Sequence, residues 1–193
     1  MENLGANFER MSIGSETRND AVDVDTYFRQ HADRLGNRFH YDPTVDLDIK
    51  KTFRRLMRTA GWNLPRNVRV LEEEKEKFFE AIAQEFTKKF GRGDQLSSWH
   101  RLLLLLGYGE QELPHSITKC KKELARFWIN IYDFLRELRR LGLDLNGAAL
   151  VNLSYLSKSS LQELREYSKS RKLLYPLDLA RGTILTGFLV HMF

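Results

Sequence analysis

The chain has 193 residues, of which 42% are hydrophobic and 30% are charged, a composition typical of a soluble globular protein with one or two domains. It has no apolar run of about 18 residues and no basic start followed by an apolar stretch, so we expect neither a membrane span nor a secretory signal. The single cysteine, Cys120, excludes an internal disulfide and a multi-cysteine metal site, which indicates cytoplasm or nucleus.

The N-terminal residues 1–24 mix Asn, Ser, Gly, Glu and Asp with isolated apolar positions, which predicts a flexible tail. We expect the folded domain to occupy residues 25–193. Its first helix is indicated by Tyr27, Phe28 and His31, which recur at helical spacing before a glycine.

Two helices are predicted next. The first covers residues 46–60, where Ile49, Phe53 and Leu56 form an apolar stripe with cationic residues on the opposite side. The second covers residues 68–90 and carries a row of phenylalanines towards the core before it ends at a glycine.

The remaining elements are also helical by their patterns. Asp94 is the expected cap of a fourth helix, whose five consecutive leucines indicate a central position. Ser116 is the expected cap of the longest helix, which continues to Leu141, and later helices follow Ser160 and Pro176. Since no alternating strand pattern of useful length occurs, we predict an all-α fold, a single compact domain of about six to eight helices.

Sequence motifs of known chemistry are absent. There is no Gly-rich phosphate loop, no GxSxG or HExxH motif and no Cys or His pair at metal-binding spacing. Cys120 falls within an apolar stripe, which indicates a small buried side chain and not a nucleophile. We therefore predict no catalytic residue, no metal and no cofactor.

The densest basic segment runs over residues 50–69 and contains no acid. Two interpretations are open. The cations either bind the phosphates of a nucleic acid or form the solvated side of a helix, where long basic side chains are common. The seven residues concerned are Lys50, Lys51, Arg54, Arg55, Arg58, Arg66 and Arg69.

Two polar residues, Asn130 and Asp133, interrupt the apolar stretch FWINIYDFL. Their spacing places them on one face of a continuous helix. They either line a pocket as a hydrogen-bonding pair, or bond to loop backbone and an adjacent Arg and so fix the register of neighbouring helices. We favour the second interpretation.

The chain ends on the apolar stretch RGTILTGFLVHMF, which is too short to cross a bilayer as a helix. We expect it to dock against the helical domain or against a partner. The candidate interface residues are Leu185, Phe188, Leu189 and Phe193.

Several segments resemble a family of small uncharacterised proteins of filamentous ascomycete fungi. The resemblance covers residues 27–136 and rests on FHYDPTVDLDIKKTFRRLMRTAGW, FFEAIAQEFTKKFG, LSSWHRLLLLLG and PHSITKCKKELARFWINIYDFL. Where the family has a Cys in the Leu-Trp helix, this chain continues with Leu. No activity is known for the family, so the resemblance implies a helical fold, leaves the function open and gives no catalytic residue to carry over.

Three functions are compatible with the sequence. The first is an intracellular protein–protein interaction module that uses the apolar C-terminus. The alternative is a nucleic-acid binder that uses the basic segment. The third is an enzyme with an unrecognised pocket, for which the starting residues are Asn130, Asp133, His100 and Glu85.

Overall fold

The computed structural model describes residues 22–142 and 151–189. The predicted all-α, compact multi-helix fold is confirmed over these residues, which contain no strand and a single isolated bridge between Trp128 and Lys158. None of their helices is long and apolar enough to span a membrane. The α-helices are α1 Val24–Leu35, α2 Ile49–Thr59, α3 Val68–Phe90, α4 Leu96–Leu105, α5 Ile117–Leu124, α6 Ile131–Leu141, α7 Leu161–Ser170, α8 Leu177–Ala180 and α9 Thr186–Leu189.

The folded part begins slightly earlier than predicted. Val24 is completely buried, and the side chain of Asp23 caps α1 by accepting a hydrogen bond from the backbone N–H of Thr26 at 2.9 Å. Most of the predicted N-terminal tail, residues 1–21, lies outside the described residues.

Several helix ends follow from local sequence. The bounds of α3 agree with the prediction, and Ser116 and Ser160 cap α5 and α7 as expected. The predicted cap of α4 is wrong. Asp94 instead forms an ion pair with Arg92 at 2.9 Å, and the residue before α4 makes no side-chain capping bond.

The predicted long helix from Ser116 to Leu141 is also wrong, because it is broken into α5 and α6. In the break, the backbone N–H of Trp128 donates to Ser157 Oγ at 2.9 Å, and the N–H of Lys158 donates to the carbonyl of Trp128 at 2.9 Å. Bonds to a distant segment therefore replace the intrahelical bonds of this stretch, a tertiary effect that periodicity does not detect.

The core is rich in aromatic side chains from several helices. Phe53 of α2 and Phe78 of α3 stack with ring centroids 4.2 Å apart, and Phe134 of α6 packs 5.1 Å from Phe188 of α9. These contacts join α2, α3, α6 and α9 around one apolar centre.

The C-terminal segment belongs to this core, which agrees with the first of the two expectations, docking against the helical domain, and not with an exposed interface for a partner. Leu185, Phe188 and Leu189 are all buried within the chain itself. Phe193 lies outside the described residues. Leu185, Phe188 and Leu189 therefore contribute apolar area to folding and are not available as an interface of the folded monomer.

Candidate functional site

An open groove of about 530 Å³ lies between α2, α6 and the C-terminal end of α7. Its walls carry four cations and two carboxylates, so the lining has a positive balance. A groove with this lining favours anionic ligands. The lining residues are Asp48, Arg54, Tyr132, Asp133, Arg136, Tyr167, Ser170, Arg171, Lys172 and Leu173.

One hydrogen bond joins the two basic walls of this groove. Arg54 Nη2 on α2 donates to the carbonyl oxygen of Arg171 at 2.8 Å, across 117 residues of sequence. The bond places the exposed side of α2 next to the basic segment that ends α7. Two clusters of cations that are far apart in the chain therefore become one surface.

Asn130 fixes the α6 side of the groove from behind. It is 3% exposed, and its Nδ2 donates to Ser168 Oγ at 2.9 Å and to the carbonyl of Leu173 at 3.0 Å. Its Oδ1 accepts from the N–H of Tyr132 at 3.0 Å, which makes Asn130 the cap of α6. Both N–H groups of the Asn130 amide and its oxygen therefore have partners inside the fold, as the structural interpretation of this residue requires.

Asp133 lies in the groove wall itself. It pairs with Arg136 at 3.1 Å and accepts a hydrogen bond from the hydroxyl of Tyr167. Burial and this carboxylate together raise the pKa of Tyr167, which keeps its hydroxyl protonated. Asp133 therefore neutralises one cation of the groove and fixes the ring of Tyr167.

The turn after α7 holds two more cations at the groove. Lys172 has a φ of +56°, the only positive φ of a non-glycine residue in the described ranges. The N–H of Leu173 donates to the carbonyl of Ser168 at 2.8 Å, which completes a helix-ending turn whose left-handed position is usually occupied by glycine. A lysine here costs about 1 kcal/mol of backbone strain relative to glycine and adds a cation to the groove.

The charge of the groove is only partly compensated inside the protein. Arg54, Arg171 and Lys172 have no carboxylate partner among the described residues, whereas Arg136 has one. The guanidinium of Arg171 instead lies 5.0 Å from the ring of Tyr167. Three cations of the groove thus remain available for an anion.

The seven predicted basic residues do not form one surface in the structure. Arg55 binds both carboxylate oxygens of Asp46 at 2.8 Å, and Arg69 pairs with Glu73 at 2.9 Å, so these two are neutralised locally. Arg66 is exposed in the turn before α3 and does not line the groove.

The α2 residues divide further. Lys51 and Arg58 are exposed beside Arg54, which agrees with their predicted position on the solvated side. Lys50 differs from that expectation, because it is only partly exposed and its amine lies 5.1 Å from the ring of Tyr132 and 5.4 Å from that of Phe79. The sequence indicated one uniform basic face. In the folded chain three of its members, Lys51, Arg54 and Arg58, lie together on the exposed side of α2.

Sequence reasoning missed Arg136, Arg171 and Lys172. A signal was present for two of them in the stretch SKSRKLL, which contains three cations and no acid. The closeness of this stretch to α2 depends on tertiary packing and could not be predicted from the sequence of either segment alone.

The residues proposed for an enzymatic pocket do not converge. Glu85 forms a buried pair with Arg139 at 2.5 Å, and His100 Nε2 lies 2.8 Å from the carbonyl of Pro114. Asn130 has its own partners behind the groove. In the described residues no group of acidic, His and Cys side chains could hold a metal ion.

A second groove, of about 590 Å³, lies between α1, α3 and α8. Lys77 is its one lining cation, whereas Glu80 and Asp178 contribute two carboxylates. Its charge balance is therefore opposite to that of the first groove. Of the two, the groove between α2, α6 and α7 is the better candidate for an anionic ligand.

The comparisons with known proteins give no match, whether with family models, with curated proteins or with solved structures. The resemblance to the fungal family stays a prediction.

Proposed function

We propose that the protein is a non-catalytic binding module that holds the phosphate backbone of a nucleic acid in the groove between α2, α6 and α7. The observation that carries this proposal is the bond from Arg54 to the carbonyl of Arg171, which joins two basic segments into one surface. A nucleic acid is a ligand of the cytoplasm or nucleus, the compartments that the sequence favours.

The chemistry of the groove supports a phosphate ligand. Guanidinium groups bind phosphate oxygens through two parallel hydrogen bonds, and lysine adds a point charge. Arg54, Arg171 and Lys172 can do so without breaking an ion pair of their own. Since Lys51 and Arg58 continue the positive charge along the exposed side of α2, a polymer of phosphates fits this surface better than a single phosphate.

The structure does not support the hypothesis of a protein partner bound through the C-terminus, because the three described candidate interface residues are buried. The four residues considered for a catalytic pocket have separate partners, so they do not supply a motive for an enzymatic proposal. An acidic protein segment could still use the same cations. It is therefore one outcome that the binding experiment must distinguish.

Fluorescence anisotropy with labelled single-stranded and duplex oligonucleotides tests the proposal. If about four phosphates are neutralised, the affinity for a single strand should fall roughly 50-fold between about 50 and 200 mM salt. The double variant Arg171→Glu, Lys172→Glu should abolish binding, and it leaves the side chain of Arg54 in place.

The matched control is Lys119→Glu, Lys122→Glu, which makes the same change in net charge on two exposed lysines of α5. We expect it to bind almost like the unaltered protein. Equal losses in both variants would mean that binding follows net charge and not the groove. Binding of an acidic peptide in preference to either oligonucleotide would also overturn the proposal.

A further inference from the structure

Tyr155 carries the most exposed aromatic ring of residues 22–142 and 151–189. It lies in a short 3-10 turn, Ser154–Leu156, which precedes α7, and it is 63% exposed. The other aromatic side chains of these two ranges are buried or half-buried. An exposed ring offers a flat apolar face to a ligand, whereas a buried ring contributes to the core.

The ring of Tyr155 is held at its polar end. Its hydroxyl donates a hydrogen bond to Glu137 Oε1 on α6, and the same carboxylate pairs with Arg140 at 2.6 Å. Because this charge is balanced locally, Glu137 repels an anionic ligand less than a free carboxylate would. A side chain that is fixed before binding also loses little conformational freedom when a ligand contacts it.

Two contacts place Tyr155 at the edge of the groove between α2, α6 and α7. Glu137, which holds the hydroxyl, follows Asp133 of the groove wall by four residues, about one turn of α6. Lys158, three residues after Tyr155, has its amine 4.1 Å from the ring centroid of Tyr167, which also lines the groove. The segment 155–158 therefore runs along the groove, with the exposed ring beside its basic lining.

The rings inside the groove are less available than that of Tyr155. Tyr132 is only 4% exposed, and its hydroxyl donates to the carbonyl of Leu174 at 3.2 Å. The ring of Tyr167 has the amine of Lys158 at 4.1 Å and the guanidinium of Arg171 at 5.0 Å. The groove thus offers cations to a ligand, and the accessible aromatic face lies at its edge.

A basic groove beside an exposed ring is the arrangement by which proteins hold single strands, since the groove follows the phosphates while a base stacks on the ring. In a duplex the faces of the bases are already stacked on one another and cannot contact a surface ring. We infer that the nucleic acid held by this protein is single-stranded and that one of its bases stacks on Tyr155. This inference rests on the proposed function and names its ligand more closely.

Fluorescence anisotropy with the full chain tests the inference, using a labelled oligothymidine and a labelled duplex of the same length. We expect the oligothymidine to bind roughly tenfold more tightly than the duplex. Tyr155→Leu keeps an apolar side chain but removes the ring, and it should weaken binding of the single strand roughly tenfold and leave the duplex unaffected. Tyr155→Phe keeps the ring without the bond to Glu137 and should bind nearly like the unaltered protein.

An abasic strand separates stacking from a structural role of Tyr155, because it has the phosphates without the bases. Tyr155→Leu and the unaltered protein should bind this strand equally, and the salt dependence of oligothymidine binding should be the same for both, since stacking releases no counterions. Equal losses on the abasic strand and the oligothymidine would overturn the inference, because Tyr155 would then support the groove and contact no base.

Failure of this inference can be told apart from failure of the proposed function. Salt-dependent binding of oligothymidine that Tyr155→Leu leaves unchanged, or equal affinity for strand and duplex, would overturn the inference and leave the phosphate-binding groove in place. No measurable binding of any of the three oligonucleotides by the unaltered protein would overturn both.

Discussion

Asn130 and Leu173 are joined by a buried hydrogen bond of 3.0 Å that spans 43 residues of sequence. Through this bond and the one to Ser168, a single amide fixes the start of α6 against the end of α7. The groove exists in its present shape because these two helix ends are held together. The position of its cations therefore depends on a residue that does not line the groove.

The variant Asn130→Asp tests this role. Asp caps helices as well as Asn does, so a purely local capping role would leave stability nearly unchanged. A carboxylate cannot donate to the carbonyl of Leu173, and it would place a charge at a buried position. We expect a loss of about 2–3 kcal/mol in urea denaturation, similar to that of Asn130→Ala. A loss below about 0.5 kcal/mol would mean that Asn130 acts only as a cap.

The variant Gly187→Ala tests the burial of the C-terminal segment. An added Cβ would overlap Leu124 and lie 2.8 Å from Cζ3 of the Trp99 ring. We expect a destabilisation of about 1–3 kcal/mol, measured by thermal or urea unfolding, because neighbouring core side chains must move. Thr186→Ala, one residue earlier and only partly buried, is the control. Equal stability of Gly187→Ala and the unaltered protein would show that this segment does not pack as described.

At Lys172 we expect folding stability and nucleic-acid affinity to change in opposite directions on substitution. Glycine adopts a positive φ without strain, so Lys172→Gly should stabilise the fold by about 0.5–1 kcal/mol. The same change removes a cation and should weaken nucleic-acid binding severalfold. Lys172→Ala is the control, because it removes the same charge and keeps the strain. If glycine and alanine variants were equally stable, the strain at this turn would play no part.

Asp23 predicts a pH dependence of stability. Burial raises its pKa, but hydrogen bonds from Lys88 and from the N–H of Thr26 outweigh burial and lower the pKa to about 2. Because the folded pKa lies below the unfolded one, the contribution of Asp23 is present above about pH 4 and is lost as pH falls towards 2.

The measurement is denaturation of the unaltered protein and of Asp23→Ala over this range. We expect a difference of about 1–2 kcal/mol at neutral pH, which should disappear as pH approaches 2. Lys88→Gln separates the cap from the ion pair, since it leaves the bond to Thr26 intact. A difference that stays constant with pH would contradict the assignment.

Much of the helical plan could be predicted from sequence. The bounds of α3 and the caps at Ser116 and Ser160 depend on local periodicity and capping, which act within a few residues. The break between α5 and α6 could not be predicted, because Phe127, Trp128 and Ile129 continue the apolar pattern, while the backbone of Trp128 bonds to residues 157 and 158.

Only one side of the groove could be predicted from the sequence. Arg54 was identified as part of a basic face, but its neighbours Arg171 and Lys172 come from a segment that only tertiary packing brings near. The opposite failure occurred at Lys50, which a helical projection placed in solvent. The packing of α3 and α6 against the start of α2 decides where that long side chain lies.

In the proposed complex, cations of the groove contact phosphates, and the salt dependence of binding counts those contacts. The measurement compares the slope of log K against log salt for the unaltered protein and for Arg171→Gln, Lys172→Gln, with a labelled single strand. Loss of two phosphate contacts should reduce the magnitude of the slope by about 1.4. An unchanged slope, or no measurable binding by the unaltered protein at about 50 mM salt, would contradict the account.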